Sequence, residues 1–483
     1  HAGRRRGRLW TPYGNGCAGS RMPLTAIAFW LLYVGGLCAA LVYPAAGVAL
    51  YILVYHLHPE AQWWGDSVAA SGIRTSFTVA AFTALGALLR RPRSARGAKQ
   101  FPAPYVLMLA LVAYALLTVT WADLTWPDTL ATAEKIVKMA IFVFILIRCV
   151  RKPEHYCLAL LAWIVGVTFL GYQAWGGVGV RMSGRLAIGV GGPDFAESSE
   201  LAVHMVASLP LVGAMFFTSR TWLGRGFALL AGALAVNATI LTRTRNALFG
   251  LAAITAVAVL QLPKRQRLKG CLGILAGYLL AVQLADPGWW ERMKTILDYQ
   301  QNASAMQRIT YWKAAVDMAV HNPAGIGLGQ FQLRVQDYTP EDRSRHSAHN
   351  TLMTCLAELG IPGAFLFVAL VVISLWRLNK LRRCKDVPTE VVAHLGPGLP
   401  RVRFHLDWYA MALQAALVGY LACGMFTTRL WAEGFWILVG LACSLNNVAH
   451  ELRAAAGRPA EGVRASDLQG LSPEALPGAC SAP

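Results

Sequence analysis

The chain has 483 residues, 56% of them hydrophobic and only 14% charged, with a mean hydropathy of +0.44. A soluble protein carries about a quarter charged residues, so the composition excludes a soluble enzyme and gives a polytopic membrane protein. A net charge of +19 would suggest nucleic acid in a soluble chain; here the basic residues crowd loops that the positive-inside bias places in the cytoplasm.

Residues 1–21 lack the apolar core of a signal peptide, and Met22 reads as a start, so this stretch is expected to be a disordered extension. Leu24 to Leu57 is apolar and broken by Pro44. It reads either as one membrane-entering unit or as a tight pair, and the first is preferred. His58-Pro59-Glu60, with Trp63, Trp64 and Asp66, then reads as an interfacial loop. Further apolar spans are predicted at about 75–89, 104–121, 130–150, 155–174, 197–217, 227–241, 247–262, 268–285, 351–376, 408–428 and 431–448, each near the length that a bilayer requires.

Arg90, Arg91, Arg93 and Arg96, then Arg148 to Lys152, Arg220 and Arg225, Lys264 to Lys269, and Arg377 to Lys385 fall in alternate loops, which must then be cytoplasmic. The preferred reading has roughly twelve spans with both termini inside; two full spans before His58 would give thirteen and put the N-terminus outside. The organisation expected is a transmembrane bundle at 22–285, one large periplasmic loop domain at 286–350, transmembrane helices at 351–449 and a disordered cytoplasmic tail at 450–483. The ten cysteines show no Cys-x-x-Cys and no zinc spacing, so neither a disulfide nor a metal is inferred.

On this topology Arg181, Arg185, Arg243, Arg245 and Arg429 lie on the outer side, where arginine is disfavoured and needs a reason. The long loop balances seven basic residues against seven acidic ones, which suits a folded element. Within it Ser304 to His321 reads as a helix capped by Ser304 and stopped by Pro323, with Arg308, Trp312, Ala315 and Ala319 on one face. The run Gly325-Ile-Gly327-Leu-Gly329 is a weak phosphate-loop signal, with no strand before it and no Gly-Lys-Ser after it. It reads better as a flexible turn packed against the membrane face.

Three outer-face features carry candidate chemistry. They are the turn Thr242-Arg243-Thr244-Arg245-Asn246, Arg308 on the loop helix, and His346-Ser347-Ala348-His349-Asn350 entering the next span. The bland readings are snorkelling arginines, a surface ion pair of Arg308 with Asp298 and an interfacial cap at His349. Together, however, fixed guanidinium groups beside an imidazole suit a diphosphate, whose charge a planar, permanently cationic fork can bind and stabilise. No Asp-x-Asp is present, which weakens the case for a metal-dependent sugar transferase.

The run Thr242 to Leu248, the Ser304…Arg308…Tyr311-Trp312 helix, Asn322-Pro323…Gly325-Ile-Gly327-Leu-Gly329…Phe331, and His346…His349-Asn350…Glu358-Leu-Gly360-Ile-Pro-Gly363 resemble the bacterial O-antigen ligase and polymerase superfamily, which includes protein O-oligosaccharyltransferases. The region Tyr43-Pro44…Gly47…His58-Pro59-Glu60 is similar to a subgroup, the O-glycosylation ligases associated with exosortase A. The resemblance implies a C-type glycosyltransferase-like, all-α membrane fold with about twelve transmembrane helices. It further implies transfer of a glycan from undecaprenyl diphosphate to an acceptor hydroxyl on a lipid, a protein or another glycan, with inversion and without metal or other cofactor. Residue by residue, it makes Arg245 and Arg308 the diphosphate clamp and His349 the group that activates or positions the acceptor. Arg243, His346 and Asn350 are carried as binding candidates beside them. So is Lys138, for which an i,i+4 pair with Glu134 is an equally good reading. Competing functions are a polymerase of lipid-linked repeat units and, from a different class, a transporter of lipid-linked sugars, which would place ionisable groups deep within its spans.

Overall fold

The computed structural model describes residues 22–90, 102–182, 184–262, 264–294, 303–339, 345–384, 390–394 and 401–456. The chain is an all-α polytopic membrane protein, with 80% of its described residues helical. Among the described residues eight helices are long and apolar enough to cross a membrane, and two shorter apolar helices accompany them.

Helix α1 (Leu24–Val42) and helix α2 (Pro44–Leu57) meet at Tyr43, where Pro44 supplies a fixed φ at the first position of α2. They fold back on each other: a Cβ on Gly36 would meet Leu50, and one on Gly47 would meet Ala40. Phe29 of α1 lies 5.1 Å from Trp64, beyond the far end of α2. The tight pair is therefore correct and the preferred single unit is not. The reason is local: small residues at 36, 40 and 47 let the two backbones approach closely.

Next come α3 (Asp66–Ser71), α4 (Thr75–Leu89), α5 (Ala103–Thr118), α6 (Pro127–Cys149) and α7 (Pro153–Trp175). A hairpin of β1 (Val180–Met182) and β2 (Arg185–Ile188) leads into α8 (Ser198–Thr218), α9 (Trp222–Thr242), α10 (Arg245–Gln261) and α11 (Lys264–Leu284). The core lies between α2, α7, α8, α16 (Leu406–Gly424) and α17 (Glu433–Ala456), around the fully buried Trp163 and Trp436. Trp163 donates its indole N–H to Ser208 Oγ at 3.0 Å, which satisfies the one polar atom that its burial would strand. Helix α11 packs loosely on α9 and α10, and only 6% of its apolar window is buried. Its surface is left to lipid.

The long loop is folded. It contains α12 (Pro287–Lys294), α13 (Ala303–His321) and α14 (Phe331–Tyr338), and the last two share a small core of Tyr311, Ala315, Met318, Phe331 and Val335. Ala315 and Ala319 are buried as the helical spacing requires. The glycine run between α13 and α14 is packed but pinned rather than loose. Tyr114 donates to Ala324 O at 2.8 Å, Trp121 to Gly325 O at 3.0 Å, and Leu328 N to Thr118 Oγ1 at 3.1 Å.

Helix α15 (Thr351–Arg382) departs from the expected continuous span. Gly360 adopts φ 63° and ψ −164°, which breaks the helix in two. The first part lies under α13 and α14, and the stretch from Ile361 onward, about 33 Å at 1.5 Å per residue, matches the hydrocarbon core. A Cβ on Gly360 would sit 2.1 Å from Pro323 O, in a backbone region closed to other residues. Gly360→Ala is therefore expected to cost roughly 1–3 kcal/mol, seen as a clearly lower unfolding temperature of the purified protein; an unchanged temperature would contradict this account of the kink.

After α15, a second hairpin, β3 (Glu390–His394) with β4 (Arg401–His405), packs Phe404 against Tyr156 and Tyr409. Neither hairpin was expected in an all-α chain, although alternation in Arg401-Val-Arg-Phe-His is a strand signal. The expected tail also begins late, because α17 continues to Ala456. The N-terminal extension, the remainder of the tail, and Asp298 lie outside the described residues.

Candidate active site

At the end of the bundle beneath the loop helices, arginines from four elements converge. Arg245 opens α10, Arg308 lies one turn into α13, Arg292 is on α12, and Arg185 is on β2. Burial, then the neighbouring charges of Arg245 and Arg292, hold the Arg308 guanidinium below its ordinary value. Burial lowers Arg185 as well, and Arg292 and Arg245 add to this while Glu197 opposes it. Arg292 is lowered by burial and by Arg243. A guanidinium stays charged at any ordinary pH. An anion bound here would lower this mutual repulsion, which loss of a proton does not. The buried Nε of Arg308 has no hydrogen-bond partner among the described residues.

Local folding explains how each arginine is held. Arg185 donates through Nε to Thr242 O at 3.0 Å and through Nη2 to Ser198 Oγ at 2.6 Å, so the hairpin is tied to the α9–α10 turn. Arg243 ends α9 with φ 46° and is ion-paired to Asp286, at the start of α12. It wedges between Gly184 and Gly288, where a Cβ would come within 2.6 Å of its guanidinium. Thr244 precedes α10 without capping it through its side chain, and the positive dipole end of that helix lies at Arg245.

His349 joins the cluster from the segment before α15. Its backbone has φ 47°, a left-handed conformation that is uncommon outside glycine, and Nδ1 stands 3.3 Å from Ser347 Oγ. Burial lowers its pKa, Arg308 lowers it further, Glu197 raises it and His346 lowers it. Three charged or titratable groups therefore act on the imidazole. His346 is exposed, with its ring 5.7 Å from Tyr311. The cap of α15 is Asn350 and not His349: Asn350 Oδ1 accepts from Leu352 N at 3.0 Å and Met353 N at 3.1 Å. The Nδ2 of Asn350 is buried without a partner among the described residues.

Lys138 stands apart. It pairs with Glu134, which also meets Arg74 at 3.6 Å. Lys135, three residues earlier, instead reaches buried Asp194 at 2.8 Å. That carboxylate belongs to a network that ties the site to the bundle. Arg429 bonds Glu200 at 2.6 Å and Asp194 O at 2.8 Å, its backbone N–H donates to Thr351 Oγ1 at 3.0 Å, and Glu433 N donates to Asp194 Oδ2 at 2.6 Å. Burial opposes the charge on Asp194, but Lys135 and Arg429 hold its pKa well below the usual carboxylate range. The network fixes the first turn of α15 immediately after His349 and Asn350. It is also the reason that Arg429 is tolerated where it lies.

Sequence reasoning left out Arg185, Arg292 and Glu197 as site residues. Arg185 carried a signal, an arginine on the disfavoured side; Arg292 was one of seven basic loop residues with nothing to single it out. No curated protein matches the chain. Residues 228–368, which include Arg243, Arg245, Arg292, Arg308, His346, His349 and Asn350, match the family model described as O-antigen ligase. That match covers less than a third of the chain; together with the apolar helices it supports a multi-pass membrane enzyme similar to the O-antigen ligase and polymerase type.

Proposed function

We propose that the chain is an inverting, metal-independent glycosyltransferase that moves a glycan from undecaprenyl diphosphate to an acceptor hydroxyl at the periplasmic face of the inner membrane. The observation that carries this reading is that Arg308 lies within reach of the charges of Arg245 and Arg292 and also bears on His349, at one end of the bundle. The opposite end holds Arg148, Arg225 and Arg382, which under the positive-inside bias supports an outward-facing cluster.

In this reading Arg245 and Arg308 bind the diphosphate, and Arg292 and the N-terminus of α10 share its charge. His349 takes the proton from the acceptor hydroxyl. The freed oxygen attacks the anomeric carbon on the face opposite the diphosphate, a C–O bond forms, and the bond from that carbon to the phosphate oxygen breaks. Undecaprenyl diphosphate leaves with the electron pair, so the configuration inverts. The cations stabilise charge that grows on the leaving oxygens, where preorganised donors act most strongly. Arg243 braces the turn through Asp286, Asn350 sets the entry to α15, and His346 adds polarity at the mouth. Lys138 would meet the glycan only beyond this cluster. The family match does not reach Tyr43 to Glu60, so it adds nothing to the subgroup resemblance.

The test is transfer by the purified protein in proteoliposomes, from a defined undecaprenyl-diphosphate oligosaccharide to an acceptor glycan, in the presence of EDTA. Undiminished transfer with inverted linkage is expected. Loss of transfer that Mg²⁺ restores would contradict the mechanism. Single additions distinguish a ligase from a polymerase, which would give a ladder of products.

A further inference from the structure

Phe249 and Trp312 each follow an arginine of the cluster by four residues, Arg245 on α10 and Arg308 on α13. Residues four apart share a helix face, separated by about 6 Å along the axis. Each helix therefore presents a cation and, one turn further on, an aromatic ring. The two rings meet through a third. Phe249 stacks on Phe426 with centroids 4.5 Å apart and planes at 24°, and Trp312 lies 6.2 Å from Phe426 at 50°.

Packing alone does not account for this seam. Phe249 is 41% exposed, and Trp312 forms a wall of an open groove of about 450 Å³ with Ile309, Val316 and Met353, which Lys313 and Asp317 edge with charge. The indole is also held in orientation, its N–H donating to Ala348 O at 2.9 Å, next to His349. An inorganic anion at the arginines would gain nothing from these rings. An amphiphile whose diphosphate continues directly into an unsaturated hydrocarbon would gain from both.

We propose that Phe249, Phe426 and Trp312 seat the first isoprene units of the carrier lipid, so that the site recognises a prenyl diphosphate as one ligand and not a diphosphate alone. This rests on the donor reading given above. The arginines neutralise the head, and the seam removes the adjoining apolar chain from water at the headgroup level, where aromatic side chains are favoured. It also sets the register of the donor: with the first isoprene held, the sugar end projects toward His349.

The experiment measures binding of farnesyl diphosphate and of methyl diphosphate, which carry the same head, to the full-length protein in nanodiscs. The wild type is expected to prefer the farnesyl compound by about tenfold or more, since burial of even part of one isoprene contributes roughly 1.4 kcal/mol. Phe249→Ala and Phe426→Ala should bring the ratio of the two affinities toward one. Phe249→Leu, which keeps apolar bulk without the ring, should retain part of the preference. Arg308→Ala should weaken both ligands alike. An unchanged ratio in both alanine variants overturns the seam and leaves the diphosphate clamp standing; unchanged binding of both ligands by Arg308→Ala overturns the clamp itself.

Discussion

Arg308→Ala is expected to lower transfer by roughly 100- to 1000-fold, the loss seen when one preorganised donor is removed from a site of developing charge. The size of the effect follows from where the side chain sits. Arg308 is part-buried, its Nε finds no partner among the described residues, and two further guanidinium groups already repel it. A cation held under those conditions contributes little to the fold and much to an anion. The protein should therefore express and unfold as the wild type does, because the small core beneath α13 is built from Tyr311, Ala315 and Met318, which the substitution leaves in place. Arg308→Lys should recover little, since a single ammonium cannot span two phosphate oxygens. Initial rates with a lipid-linked oligosaccharide, compared at saturating donor, check both variants. Near-normal turnover in Arg308→Ala would remove this residue from the reaction.

How much of this was legible follows from the kind of signal each part leaves. Spans are read from length and apolarity, so α5, α7, α8 and α16 lie close to their expected positions. The pairing of α1 with α2 was not decidable in that way, because one kinked helix and a hairpin have the same composition; close contacts at Gly36 and Gly47 make the difference. Likewise Gly360 lies between Glu358 and Pro362 inside a long apolar run, where span length outweighed the helix-breaking signal, and its docking on Pro323 shows why the chain turns there.

The candidate site was legible where one residue type stood in the wrong place. Arginines on the outer side are costly unless they act, and this brought Arg245 forward and flagged Arg185. Arg429 gave the same signal for another reason, its buried pair with Glu200. Arg292 gave none, because α12 is a polar loop helix in which an arginine is ordinary. The aromatic seam was hidden as well: Phe249 and Phe426 are unremarkable in apolar sequence, and their meaning comes from a contact across 177 positions.

His349 poses the sharper kinetic question, because its roles as base and as backbone element must be separated. His349→Ala is expected to slow transfer by roughly 100-fold or more if the imidazole takes the acceptor proton. The left-handed backbone complicates that variant, since any change at φ 47° also alters local strain. Asparagine tolerates this region, so His349→Asn should show the same loss with less perturbation of α15. The pH profile supplies an independent reading. Burial and Arg308 place the His349 pKa below the ordinary value of about 6.5, so the neutral, proton-accepting form persists on the acid side of that value. Activity should accordingly be retained as pH falls to about 6.5 and be lost only below it. Glu197 opposes this shift. Glu197→Gln should therefore lower the pKa further and move the acid limb of kcat/KM to still lower pH, while Arg308, His346 and burial act as before. An acid limb that stays in place in Glu197→Gln, and persists in the residual activity of His349→Asn, would assign the titration to another group and leave His349 a positioning role.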